Sequence, residues 1–188
     1  MTTRSRRAPV ERPLAGAPGA PALWLPDEPF PPYRFVPGHA PHPLMPGGYA
    51  HGQRVAPPPF RAAERWRENR AYLRGLDLFN RGWWWEAHEA WESYWHVVEG
   101  RDPPQHELFK ALIQLAACAL NRERGSDAGA ARLLFSSVRL IEGLQRQTGG
   151  ARLCGLDLDR LVGNAHEFLG EPTDDRSPGV DGFYLRPE

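Results

Sequence analysis

The chain has 188 residues, 41% of them hydrophobic and 24% charged, the mixture of a globular protein with room for one ordinary domain rather than a two-domain enzyme. Twenty-three basic residues balance twenty-three acidic ones, so no global field draws the chain to nucleic acid or anionic lipid. Two cysteines offer neither a disulfide framework nor a metal spacing, no apolar stretch approaches the ~20 residues that cross a bilayer, and Arg4 to Arg7 lead into Pro, Gly and Ala rather than a signal-peptide core; a cytoplasmic location is expected.

Fifteen of the twenty prolines lie between Pro9 and Pro59, which excludes long helices and central strands from the first third of the chain. Residues 1–23, poor in apolar bulk, are expected to be a disordered tail. Residues 24–59 carry Trp24, Leu25, Phe30, Tyr33, Phe35, Val36, Leu44, Met45 and Tyr49, which a merely solvated segment would not need. They are expected to pack on the body as an extended arm.

From Phe60 the pattern turns helical. Trp66, Leu73, Leu76 and Phe79 define one side of a first helix that Gly82 ends or interrupts. A second helix, about Trp84 to Glu99, carries the apolar stripe Trp84, Ala87, Trp91, Trp95 and Val98. Asp102, Pro103 and Pro104 separate it from a third, Leu108 to Leu120, apolar on nearly every side except at Lys110 and Gln114. Gly125 is the expected left-handed terminator and Ser126 or Asp127 the next N-cap, for a fourth helix burying Ala131, Leu134, Val138 and Ile141 or Leu144. Asp157 caps a short fifth helix presenting Leu158, Leu161, Val162, Ala165 and Phe168. No strand is expected. The fold class that follows is all-α: a small antiparallel bundle of about five helices over residues 60–170, preceded by the arm and followed by a tail at 171–188.

The densest cluster of ionisable residues is Glu86, His88, Glu89 and Glu92, followed by His96, on the second helix. His88, Glu92 and His96 drift by about 40° per step of four, a stripe beside the tryptophan face. A carboxylate and an imidazole four residues apart can reach one ion. His88-Glu89-Ala90-Trp91-Glu92 lacks the second histidine of a zincin, and Glu-x-x-His pairs of the di-iron type are absent. What remains is a mixed oxygen and nitrogen half-site for Zn, Mn, Fe or Ni with further ligands from another helix. Equally open is a structural reading in which these acids pair with Arg65, Arg70, Arg74 or Arg81. Gln114, an amide among apolar neighbours, needs polar partners, and the second helix is the nearest source. His39, His42 and His51 of the arm are weaker candidates to complete a site. His106 and His166 read as helix-surface residues and Cys118 as a small core group.

The run from Phe79 to Glu92 with Trp95 after it, then Leu112 to Ala117, then Arg124-Gly125 and Gly129-Ala130, resembles the bacterial family called domain of unknown function 309. The resemblance spans about Phe60 to Leu169. It implies an all-helical bundle and carries the common label of metal-dependent hydrolase, without a substrate. It places the family's polar motif on Glu86, His88, Glu89 and Glu92 and its buried glutamine on Gln114, with Trp95 beside them. Members often have histidine where this chain has Asn121, which removes a nitrogen ligand on the third helix. The expected activity is hydrolysis of an unidentified small molecule with a divalent ion, Glu89 serving as general base. The alternative is a non-catalytic interaction protein whose Glu and His residues form a buried polar network. A homodimer would cover any apolar patch left on so small a bundle with seven tryptophans. Neither nucleic acid nor membrane is an expected partner.

Overall fold

The computed structural model describes residues 21–149, 152–169 and 184–188. The tail expected at the N-terminus lies outside these residues up to position 20, as do residues 170–183 and the side chain of Phe168. Five helices make the body: α1 (Arg70–Phe79), α2 (Trp84–Val98), α3 (Pro103–Glu123), α4 (Asp127–Thr148) and α5 (Leu158–Leu169). Each packs chiefly on its neighbour in the chain, α1 on α2, α2 on α3, α3 on α4 and α4 on α5, the arrangement that short turns between helices enforce. α3 is the central one, with Leu108, Phe109, Ala111, Leu112, Leu115, Ala116 and Cys118 fully buried. Among the described residues no helix is long and apolar enough to cross a membrane.

The bundle departs from the sequence expectation at four places, each for a local reason. The first helix is broken. A 3-10 segment, Ala63–Glu68, leads to Asn69, whose Oδ1 accepts the Tyr72 amide at 3.0 Å and starts α1 afresh. α3 begins five residues earlier than its apolar run. Asp102 accepts the Gln105 amide at 3.0 Å, and Pro103 and Pro104 occupy the first helical turn, where no amide hydrogen is required. α4 buries Ala130 rather than Ala131, which is exposed, because its inward face runs through Ala130, Leu134, Ser137, Val138, Ile141 and Leu144. A two-stranded hairpin, β1 (Arg152–Leu153) with β2 (Leu156–Asp157), precedes α5. Its two-residue turn holds Cys154 and Gly155 at φ 49° and 77°, and each strand is too short to show a period of two. Tyr72 Oη donates to the Cys154 carbonyl at 3.0 Å and ties the hairpin to α1.

The described part of the arm runs over α1 and α2 and is stitched down by side chains of the body. The Asp77 carboxylate accepts the amides of Trp24 and Leu25, each at 2.9 Å. Glu86 accepts the amide of Phe35 at 2.7 Å. Arg34 donates to the Gly82 carbonyl at 2.8 Å and pairs with Glu123. Trp24 meets Trp66 edge to face at 5.3 Å and Phe30 meets Trp83 at 5.4 Å. At the other end of the chain, Asn80 exchanges two hydrogen bonds with the backbone of Leu185, which is itself a core residue at 2% exposure.

Candidate metal centre

α2 buries Trp84, Ala87, Trp91, Tyr94 and Val98. Tyr94 takes the core position that the sequence stripe gave to Trp95, and Trp95 sits half-buried at the edge, its ring stacked on His106 of α3 with centroids 4.8 Å apart. The same edge, one to two turns back, carries His88, Glu89 and Glu92.

Those three residues converge. One ligand atom from each lies within 4.8 Å of the other two, so His88, Glu89 and Glu92 could hold a metal ion. His88 Nδ1 is 3.4 Å from Glu89 Oε1, with the two side chains 27% and 34% exposed. They are therefore half-sheltered, reachable from solvent but not fully hydrated. His88 Nδ1 itself is buried and makes no hydrogen bond within the protein. An imidazole nitrogen beside two carboxylates is a donor set that first-row divalent ions accept, and a buried ring nitrogen without a partner is what a ligand position looks like. The residues present fit such an ion.

The arginines that sequence reasoning offered as partners for these acids are engaged elsewhere. Arg65 pairs with Glu68, Arg70 with Glu28, Arg74 with Glu28 and with the Pro29 carbonyl, and Arg81 with the Pro21 carbonyl.

The remaining site candidates separate. Glu86, two residues from His88 and so about 200° round the helix, is turned to the arm and is not one of the converging three. Its Oε1 accepts from Phe35 N and from Tyr49 Oη, the latter at 3.4 Å. Burial pushes its carboxyl up to about 7, against the opposing pull of the Phe35 amide and the Arg34 charge. Asn121 lies in the last turn of α3, where its carbonyl accepts the Ser126 amide at 2.8 Å and its side chain borders Gly129. It is seven residues, roughly 10 Å of helix, beyond Gln114. Gln114 is half-buried with its Oε1 sheltered and unpartnered. In the arm, His42 packs against Phe35 and Trp85 and accepts the Leu44 amide, His51 contacts the Leu44 carbonyl, and His39 is exposed. None of the three joins the group.

Sequence reasoning passed over three buried polar residues. Asp77 anchors the arm, Asn80 the chain end, and Gln105 the segment before α1 through the Arg61 carbonyl; all three are buried, and nothing in their local spacing marks them. His106, read from the sequence as a helix-surface residue, is instead half-buried, with its ring stacked on Trp95.

Residues 72–133 match the family described as Domain of unknown function (DUF309), a span from the start of α1 into α4 that contains the three converging residues and omits the arm. Among curated proteins, the "Uncharacterized protein YpuF" of Bacillus subtilis (strain 168) is 33% identical over 81 residues, 42% of this chain and 42% of that protein. Less than half of that relative's length is therefore matched. No solved structure matches.

Proposed function

We propose that this chain, which carries a DUF309 domain over residues 72–133, holds a divalent transition-metal ion with His88, Glu89 and Glu92 and hydrolyses a small-molecule substrate there. The observation that carries the reading is the convergence of three ligand atoms within 4.8 Å on one helix edge. When bound, such an ion supplies Lewis acidity and lowers the pKa of water. His88 and Glu92, one turn apart, fix the position through rigid backbone rather than a loop. Glu89 has two carboxylate oxygens. One serves the ligand set and the other is free to accept a proton from water, which is the general-base role. The half-sheltered position of His88 and Glu89 leaves an approach for a small molecule while limiting the water around the reacting groups.

Metal analysis of untagged full-length protein tests this reading. About one equivalent of metal is expected in the wild type and a loss in His88→Ala and in Glu92→Ala. Glu89→Gln is expected to keep the metal but to lose turnover of chromogenic phosphate and carboxylate esters. Metal-free wild-type protein that also takes up none of Zn, Mn, Fe or Ni on titration would sink it.

A second reading, a non-catalytic interaction protein, is favoured by Glu86, which spends its carboxylate on the arm. On that reading the polar edge of α2 organises the arm for a partner, and His88→Ala lowers the stability of metal-free protein instead of its metal content.

A further inference from the structure

α2 and α3 are antiparallel neighbours, and two ring contacts fix their register: Trp95 lies on His106 and Tyr94 on Phe109, each at 4.8 Å. Moving one turn toward the start of α2 is matched by one turn toward the end of α3. Glu92 therefore stands at the level of Lys110, and His88 at the level of Gln114. On α3 the residues His106, Lys110 and Gln114 follow one another at steps of four, about 40° apart, so they share the side that Trp95 marks. The metal ligands are thus one wall of a polar seam, and α3 supplies the other.

That seam concentrates unsatisfied chemistry. Trp95 Nε1, His106 Nε2, His88 Nδ1 and Gln114 Oε1 are all buried without a hydrogen-bond partner in the protein; among the described residues, only Arg61 Nε and Glu86 Oε2 share that condition elsewhere. Buried polar atoms are nearly always partnered, so a cluster of exceptions calls for a ligand or water. The indole N–H can only donate. Lys110, the chain's single lysine, is half-buried and makes neither hydrogen bond nor ion pair with any described residue. It too can only donate. The His106 ring has Nδ1 3.8 Å from the Glu107 carboxylate and its Nε2 buried without a partner. Two obligate donors next to a candidate metal centre call for an acceptor, and the ammonium calls for a charged one.

We propose that Trp95 and Lys110 form an oxyanion subsite beside the metal ligands, and that the substrate is a small molecule bearing a phosphate or carboxylate group. The inference rests on the metal reading above, because the Glu89 and Glu92 carboxylates of the ligand set repel an anion until a divalent ion offsets them. Anion binding is therefore metal-dependent.

Calorimetric titration of inorganic phosphate and of acetate into the full chain, with and without Zn, decides the matter. Metal-loaded wild type is expected to bind at least one of the two anions. Lys110→Gln is expected to weaken that binding about tenfold or more and Trp95→Phe several-fold, while Zn affinity in both stays within about twofold of wild type. Lys110→Arg, which keeps the charge, is expected to restore binding and guards against a mere folding defect in Lys110→Gln. Anion binding of equal strength in wild type, Lys110→Gln and Trp95→Phe would place the anion on the metal alone and overturn the subsite. Failure of both anions to bind Zn-loaded wild type overturns it as well and leaves the metal reading standing. Failure of Zn to bind sinks the metal reading, and the subsite falls with it.

Discussion

The Glu86 carboxylate accepts the Phe35 amide at 2.7 Å, so a buried acid of α2 holds the middle of an arm that begins more than fifty residues earlier in the chain. Burial is the main force on that carboxyl and pushes it up to about 7. In the unfolded chain it titrates near 4.3. A folded value above the unfolded one means that the protonated group favours the fold. This contribution is full below about pH 4 and fades as pH rises through 7, by on the order of 3 kcal/mol in total. The melting temperature of wild type should therefore fall relative to that of Glu86→Gln between pH 5 and 8. Parallel curves for the two proteins would refute this.

Asp77 is 1% exposed and receives two amides of the arm, from Trp24 and Leu25. Asp77→Ala leaves both donors without their acceptor and should cost about 2–4 kcal/mol. Asp77→Asn keeps one carbonyl oxygen and should fall between. Urea unfolding gives the loss, and limited proteolysis should show faster cleavage near residue 25 in the alanine variant. An unchanged digestion pattern would mean that the hydrophobic contacts of Trp24 suffice to hold the arm.

Gly75 of α1 lies directly against the Trp91 ring of α2. A β-carbon there would lie 2.0 Å from Trp91 Nε1, whose indole donates to the Tyr72 carbonyl at 3.2 Å. Gly75→Ala must push the helices apart or displace a fully buried tryptophan, at about 3 kcal/mol or more. Thermal unfolding checks this; a variant within about 1 kcal/mol of wild type would show that the helix pair has slack.

Both cysteines are shielded. Burial pushes the Cys118 thiol up to about 11 and the Cys154 thiol higher still. A disulfide-exchange reagent at pH 8 should leave both unmodified in native protein and modify two per chain once urea is added. Rapid native labelling of either would contradict the packing around α3 and the hairpin.

The polar edge of α2 illustrates how far one chain read alone can go. The run Glu86, His88, Glu89 and Glu92 reads in the sequence as one motif of three acids and a histidine, and only the structure separates Glu86, turned to the arm, from the three that converge. The arm was legible from its prolines and its large apolar residues, whereas its anchors Asp77 and Arg34 were not, since each forms a single long-range bond that leaves no periodic trace. The start of α3 hid behind two prolines because a separator and a first helical turn share the same composition.

The sequence by itself determined the all-helical class and the polar run of α2 that contains the converging residues, since 3.6 residues per turn couples spacing to direction within a single element. Only the tertiary structure decided that Trp95 meets His106, that Lys110 and Gln114 then stand level with Glu92 and His88, and that Glu86 turns to the arm. Register between two helices depends on how their side chains interlock and on the turn that joins them, and neither is encoded in the period of either helix alone.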